Sequence, residues 1–216
     1  MSETRFTITK IEPQQKAENR FNIYLDGAFA FGLEGEVLIR HHLHEGDEIA
    51  ENIVDDVLLS EERSKAKKKA LALLSHSSRS VAEIRRRLLE SDFSERTSDR
   101  VIRDFVRVGL LDDKAFALSY AQSRLFQRVM GKRLLKQELL QKGIDEENAD
   151  TAVAGAYDQV SETDLAKQLV EKKMRQLGAQ DKRKVKHKLS DMLFRRGFDW
   201  DVISSVVREA MWEEES

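Results

Sequence analysis

The sequence predicts a mainly α-helical protein: three tandem three-helix repeats forming an elongated curved array, preceded by a small antiparallel β-sheet extension. Three observations predict it. Ile144 has counterparts in Phe93 and Phe198, 51 and 54 residues away, and the flanking sequences fall into register around these anchors. Apolar residues in the register recur at the helical spacing of three and four. The front of the chain instead alternates polar and apolar residues, as half-buried strands do.

In chain order, the alternating run Arg5 to Ile11 is followed by the only proline, Pro13. A second run spans Arg20 to Leu25, and Asp26-Gly27 supplies a turn pair that tolerates positive φ before Ala28 to Gly32. Residues 5–33 are therefore expected to form a three-strand meander. Val37-Leu38-Ile39 suggests a short helix, and Gly46-Asp47 breaks the chain before Glu48 to Leu59. That last stretch reads equally as a returning strand or as the entry to the array.

Each repeat is expected to hold a long helix, a short helix and a third helix. The short helices precede the anchors, with Ile84 and Leu88, Leu135 and Leu139, and Leu189 and Leu193 stacked four apart on one face. Ser94, Asp145 and Asp199 follow the anchors as side chains able to cap a new helix. The third helices carry the stripes Val101, Ile102, Phe105, Val106; Ala152, Val153, Ala156, Tyr157; and Val206, Val207, Ala210, Met211. The long helices carry Ala66, Ala70, Leu74; Ala117, Ala121, Leu125; and Ala166, Val170, Met174. Such units bury their apolar faces by stacking on neighbours. The expected divisions are an extension at 1–58 and repeats at 59–110, 111–159 and 160–216, the last ending in the acidic tail Glu213-Glu214-Glu215-Ser216.

Charge is polarised along the chain. Residues 1–62 hold 14 acidic and five basic residues, whereas residues 63–216 hold 32 basic and 25 acidic. Between Lys167 and Arg196 stand 11 basic residues against Glu171, Asp181 and Asp191, a surplus that points to a polyanion or an acidic partner. The short helix is basic in every copy. The candidate contact residues are Lys67, Lys68, Arg85, Arg86, Arg87, Lys132, Arg133, Lys136, Lys172, Lys173, Lys182, Arg183, Lys186, Arg195 and Arg196.

Catalytic chemistry finds little footing. The chain has no cysteine, its ten glycines are scattered at turns rather than gathered in a phosphate loop, and no nucleophile–base set is suggested. Asp112 and Asp113, the nearest approach to paired carboxylates, stand where a helix cap is needed before Phe116 and Ala117. His41, His42 and His44 lack carboxylate or cysteine partners at metal-ligand spacing and read as a solvated turn. Among the aromatics that could stack on bases, Phe116, Tyr120, Phe126 and Tyr157, the first two sit four apart beside an alanine stripe, the spacing of a core face. No enzymatic activity, cofactor or metal is expected. The absence of a long apolar run and of a signal segment gives the expectation of a soluble, cytoplasmic protein without a membrane partner.

The stretch Gly109-Leu110-Leu111-Asp112-Asp113-Lys114-Ala115-Phe116-Ala117-Leu118-Ser119-Tyr120-Ala121-Gln122-Ser123-Arg124 resembles the signature of the RecX family of recombination regulators. Gly131 to Ile144, Arg79 to Leu89, and Lys188 to Phe198 resemble its other blocks, so the resemblance covers about residues 60–212. It implies three tandem three-helix repeats, and the front sheet resembles an extension present in some members. It further implies binding to the RecA recombinase filament on single-stranded DNA, with weaker contact to double-stranded DNA. The implied effects are inhibition of ATPase, strand exchange and coprotease activities, within recombination, DNA repair and the SOS response. The expected form is a monomer. One departure is Asp92, where the other copies have Gly143 and Gly197 at positions suited to a left-handed helix end.

The sequence is also compatible with two other readings. An independent DNA-binding protein of helix-turn-helix type would place a helix in the major groove, although the short helices offer few side chains that read adenine beyond Gln137 and Gln141. A helical scaffold docking an acidic protein would show no salt-dependent DNA affinity.

Overall fold

The computed structural model describes residues 4–15, 17–177 and 181–213, so the acidic end Glu214-Glu215-Ser216 lies outside the described residues. Four strands, β1 (Arg5–Pro13), β2 (Arg20–Leu25), β3 (Ala28–Glu34) and β4 (Glu48–Ala50), form one sheet in the order β3-β2-β1-β4. The β2–β3 turn has φ of 49° at Asp26 and 82° at Gly27, as a tight hairpin demands. The expected meander gains a fourth strand because Phe6 pairs with Ile49, returning the chain to the free edge of β1.

One ambiguity is settled in both directions. β4 is the returning strand, and the helix α2 (Glu51–His76) starts directly behind it. Helix α1 (Gly35–Arg40) contributes Val37, which joins Ile8, Ile23, Leu33, Leu43, Ile49 and Val57 in the core of the sheet. Arg20 holds Glu34 of β3 at 2.9 Å and Glu61 of α2 at 3.0 Å, and the backbone N–H of Glu34 donates to Glu61 at 2.7 Å. This buried ionic knot fixes α2 against the sheet.

The remaining helices are α3 (Val81–Leu89), α4 (Glu95–Arg107), α5 (Asp113–Gln127), α6 (Lys132–Gln141), α7 (Glu146–Ala156), α8 (Glu162–Leu177), α9 (Lys182–Arg195) and α10 (Trp200–Glu213). The long, short and third helices of the three repeats are thus α2, α3, α4; α5, α6, α7; and α8, α9, α10. The short-helix stripe is buried in every copy. The third-helix stripe holds except at Val106, which is 49% exposed near the end of α4. Ser94 and Asp145 accept hydrogen bonds from the N–H groups of Thr97 and Asn148, as caps should.

The chain forms two compact units, one of residues 1–77 and 84–108, the other of residues 78–83 and 109–216. The second unit has two apolar cores. One gathers Leu135, Leu139 and Ile144 with Phe116, Ala121 and Val153, and the other gathers Leu189, Leu193 and Phe198 with Val170, Ile203 and Val206.

Within this unit the short helices meet end to start. The carbonyl of Arg196 accepts from the N–H of Gly131 at 2.8 Å, and the carbonyl of Gly197 accepts from Arg133 at 3.2 Å. One copy earlier, the carbonyl of Lys142 accepts from the Ser80 hydroxyl at 2.6 Å. Carbonyls left unpaired at a short helix's end are satisfied by donors at the start of the preceding copy's short helix. The close fit explains Gly143 and Gly197: a Cβ there would strike Ala82 and Leu134 respectively. Asp92 has the same left-handed φ, 61°, but is exposed, and an aspartate is tolerated.

Candidate polyanion-binding site

A cleft of about 700 Å³ opens beside α8 and α9. On α8, Lys172 and Gln176 stand one turn apart; on α9, Lys188, Met192 and Arg195 recur at intervals of four and three, which places each set on one helix face. The third wall is Gln127, Arg128 and Val129, the connection between α5 and α6. Leu169, Leu177, Val129 and Met192 give the cleft an apolar floor along which lysine and arginine stems can lie with their charges in water.

Six cations line the cleft, Arg128, Lys172, Lys173, Lys188, Arg195 and Arg196, against the single carboxylate of Asp191. Arg196 is half-buried and donates to the carbonyl of Val129 at 2.9 Å. Burial, together with the nearby charge of Arg128, pushes the Arg196 guanidinium down from its ordinary value. Arginine nevertheless stays charged. Two like charges held close in a partly dry wall are relieved by an anion placed between them.

The cleft brings together four of the residues predicted from sequence, Lys172, Lys173, Arg195 and Arg196. Arg128, Lys188 and Gln127 were missed. Lys188 belonged to the counted basic run, but nothing in the sequence brings residues 127–129 beside α9.

Several other predicted cations have internal partners. Lys68 binds Glu34 at 2.6 Å, Arg85 binds Asp99 at 2.9 Å, and Lys136 binds Asp150 at 2.6 Å. Arg86 and Arg87 share Glu90 at 3.7 and 2.9 Å, and Lys67 lies 3.8 Å from Asp104. Lys132 places its ammonium 5.3 Å from the Tyr157 ring. Arg133 lies 4.2 Å over the Phe194 ring and donates to the Phe194 carbonyl at 2.9 Å, so it joins the second and third repeats. Lys182 and Arg183 are exposed at the start of α9, and Lys186 borders a smaller groove with Trp200 and Trp212.

The aromatics divide. Phe116 is 9% exposed and stacks on Tyr120 at 5.9 Å, and buried Tyr157 donates to the carbonyl of Met130. Phe126 is different: it is 95% exposed, one residue before the cleft wall. The paired carboxylates act as caps, Asp112 on Ala115 and Asp113 on Val81. The His41 ring lies 2.8 Å from the Ser60 hydroxyl. Among the described residues no helix is long and apolar enough to cross a membrane.

Three-helix units that interlock through their helix ends and expose a basic cleft define a helical-repeat protein with a binding face. The comparisons narrow this class. Residues 6–50 match the regulatory protein RecX N-terminal domain, and residues 66–104, 112–153 and 161–207 match the first, second and third three-helix domains of RecX. A regulatory protein RecX of Clostridioides difficile is 33% identical over 94% of this chain and 95% of its own length. One of Bacillus cytotoxicus is 32% identical over 96% of this chain and 78% of its own. A crystal structure of a regulatory protein RecX superposes with a TM-score of 0.74 at 31% identity, over 93% of this chain and 98% of that one. RecX from Lactobacillus salivarius superposes with a TM-score of 0.64 at 26% identity, over 69% and 97%. The chain belongs to the RecX family of regulatory proteins.

Proposed function

We propose that the protein is a non-enzymatic regulator that binds the RecA filament on single-stranded DNA and inhibits its ATPase, strand exchange and coprotease activities, modulating recombination and DNA repair in the cytoplasm. The observation that carries the reading is the six-cation cleft beside α8 and α9 in a chain of the RecX family. Such a cleft suits phosphates or an acidic protein surface, and exposed Phe126 beside it offers a face on which an unpaired base can stack. Cations from two successive repeats converge there, so contacts along a polymeric ligand add through effective concentration.

The test is the rate of ATP hydrolysis by RecA on single-stranded DNA as the protein is titrated in, beside the variant Lys172→Glu, Lys173→Glu, Arg195→Glu. The expected result is inhibition well below one protein per RecA, weakened at least about tenfold by the three reversals, since each removes a contact whose loss is felt along the whole site. Unaltered hydrolysis at equimolar protein would overturn the proposal.

A further inference from the structure

A second concentration of positive charge lies in the other compact unit, on helices that the candidate residues above barely touch. Along α4, Arg96, Arg100, Arg103 and Arg107 recur at intervals of four, three and four, which aligns them on one face. At about 1.5 Å of rise per residue, their origins are spaced about 6, 4.5 and 6 Å along the axis. Arg63 of α2 faces this row, and a cleft of about 330 Å³ opens between the helices, lined by Ser60, Arg63, Arg96, Arg100 and Arg103.

The cations here outnumber their partners. Asp104 lies within reach of Arg63, of Lys67 at 3.8 Å, of Arg100 at 3.9 Å and of Arg107 at 3.4 Å. One carboxylate cannot neutralise four cations, and Arg96 and Arg103 add two more exposed charges. Glu62, which accepts from the Ser94 N–H and the Thr97 hydroxyl at 2.7 Å each, brings one more negative charge to the start of α4 and still leaves the cations in excess. Asp99 is held by Arg85 at 2.9 Å. The Nε of Arg63 is buried with no hydrogen-bond partner, so the internal hydrogen bonds of this cluster are incomplete.

We propose that this arginine cleft between α2 and α4 binds the phosphodiester backbone of a nucleic-acid strand, as an anion site built from residues other than those of α8 and α9. Guanidinium groups match phosphate oxygens in a paired, planar fashion that lysine does not offer. A row of cations at nearly even intervals suits a ligand whose anions also recur regularly, as the phosphates along a strand do. The inference does not depend on the RecA reading, since nucleic acid alone is the ligand.

The experiment measures binding of the full-length protein, without RecA, to a fluorescein-labelled oligothymidylate by anisotropy across a series of salt concentrations. Three variants are compared with the parent: Arg96→Ala, Arg100→Ala, Arg103→Ala; the same positions changed to Lys; and Lys172→Ala, Lys173→Ala, Arg195→Ala. The substituted arginines are exposed, and a thermal unfolding curve checks that each variant folds. The alanine variant on α4 is expected to lose at least about tenfold in affinity at low salt, and its slope of log affinity against log salt to shrink by about 2, at roughly 0.7 per phosphate contact. The lysine variant should retain the slope, and the α8–α9 variant should retain the part that the α4 variant loses. Parental affinity and slope in the α4 alanine variant overturn the proposal. So does a lysine variant as impaired in slope as the alanine one, because charge would then not be the cause. A third contrary result is an α4 variant with parental DNA binding but lost inhibition of RecA, which assigns the surface to a protein partner.

Discussion

Glu162 at the start of α8 accepts a hydrogen bond from the backbone N–H of Lys132, the first residue of α6, at 2.9 Å. Forty-nine residues earlier, Asp113 at the start of α5 does the same for Val81, the first residue of α3, at 2.8 Å. The first turn of each long helix therefore caps the short helix of the preceding copy, and the repeats are joined by borrowed caps.

Burial raises both carboxyls above their ordinary values, 4.5 for Glu162 and 3.8 for Asp113, even though each accepts a backbone hydrogen bond. A raised folded-state value means that the contribution is fully present below the ordinary value and is lost as pH rises through the folded one. Glu162→Gln and Asp113→Asn keep an acceptor without the buried charge. Each should match or exceed the parent's urea midpoint at pH 7, with the advantage shrinking towards pH 4. Alanine at either position should cost about 1 kcal/mol at pH 7.

Gly197 has a φ of 82°, and a Cβ there meets the side chain and backbone N of Leu134. Gly197→Ala combines a left-handed alanine with a steric clash at the joint and should cost about 2 kcal/mol or more. Gly143→Ala should behave similarly through Ala82. Asp92→Gly should change stability by less than about 1 kcal/mol, since Asp92 is exposed and aspartate already tolerates its φ of 61°. Chemical denaturation of the three variants checks the ranking.

Glu138 receives Arg124 in a two-pronged pair, at 2.7 Å to each oxygen, and the Tyr120 hydroxyl at 3.0 Å. The Arg124 hydrogen bond, working against burial and assisted by Tyr120, holds the carboxyl below its ordinary 4.5. Its contribution is present above that value and is lost as pH falls through the lower folded one. Glu138→Gln should cost about 1–3 kcal/mol at neutral pH. The difference from the parent should shrink as the parent is acidified below pH 4.5, followed by urea midpoints over an acid series.

Arg133 and Lys172 were equivalent candidates from composition, and the structure separates them. Arg133→Ala removes the stacking on Phe194 and the bond to its carbonyl, and should lower stability by about 1–2 kcal/mol. Lys172→Ala should leave the unfolding midpoint within about 0.5 kcal/mol. It should also reduce the salt slope of binding to single-stranded DNA by about 0.7. Paired unfolding and anisotropy measurements distinguish the two outcomes.

Much of this architecture was legible in the chain. Four-residue spacing of Leu135 with Leu139, and of Leu189 with Leu193, marks a helix face wherever it occurs, because a side chain must return to the same side each turn. Asp26-Gly27 and the left-handed positions 92, 143 and 197 were legible for the same local reason: few residues adopt positive φ at low cost. The fourth strand was half-visible, since Glu48 to Ala50 is too short to carry its own period and takes its identity from pairing with β1.

The sequence by itself determined the three repeats, the caps at Ser94 and Asp145 and the basic surplus, all of which follow from spacing along the backbone or from counting charge. Only the tertiary structure decided which charges converge. Arg128 reaches the cleft from another repeat, Arg133 and Lys136 are occupied by Phe194 and Asp150, and Arg63 joins the row on α4. The physical reason is that a charge acts on whatever lies within a few ångströms, and those neighbours are set by packing between helices distant in the chain, which local periodicity does not record.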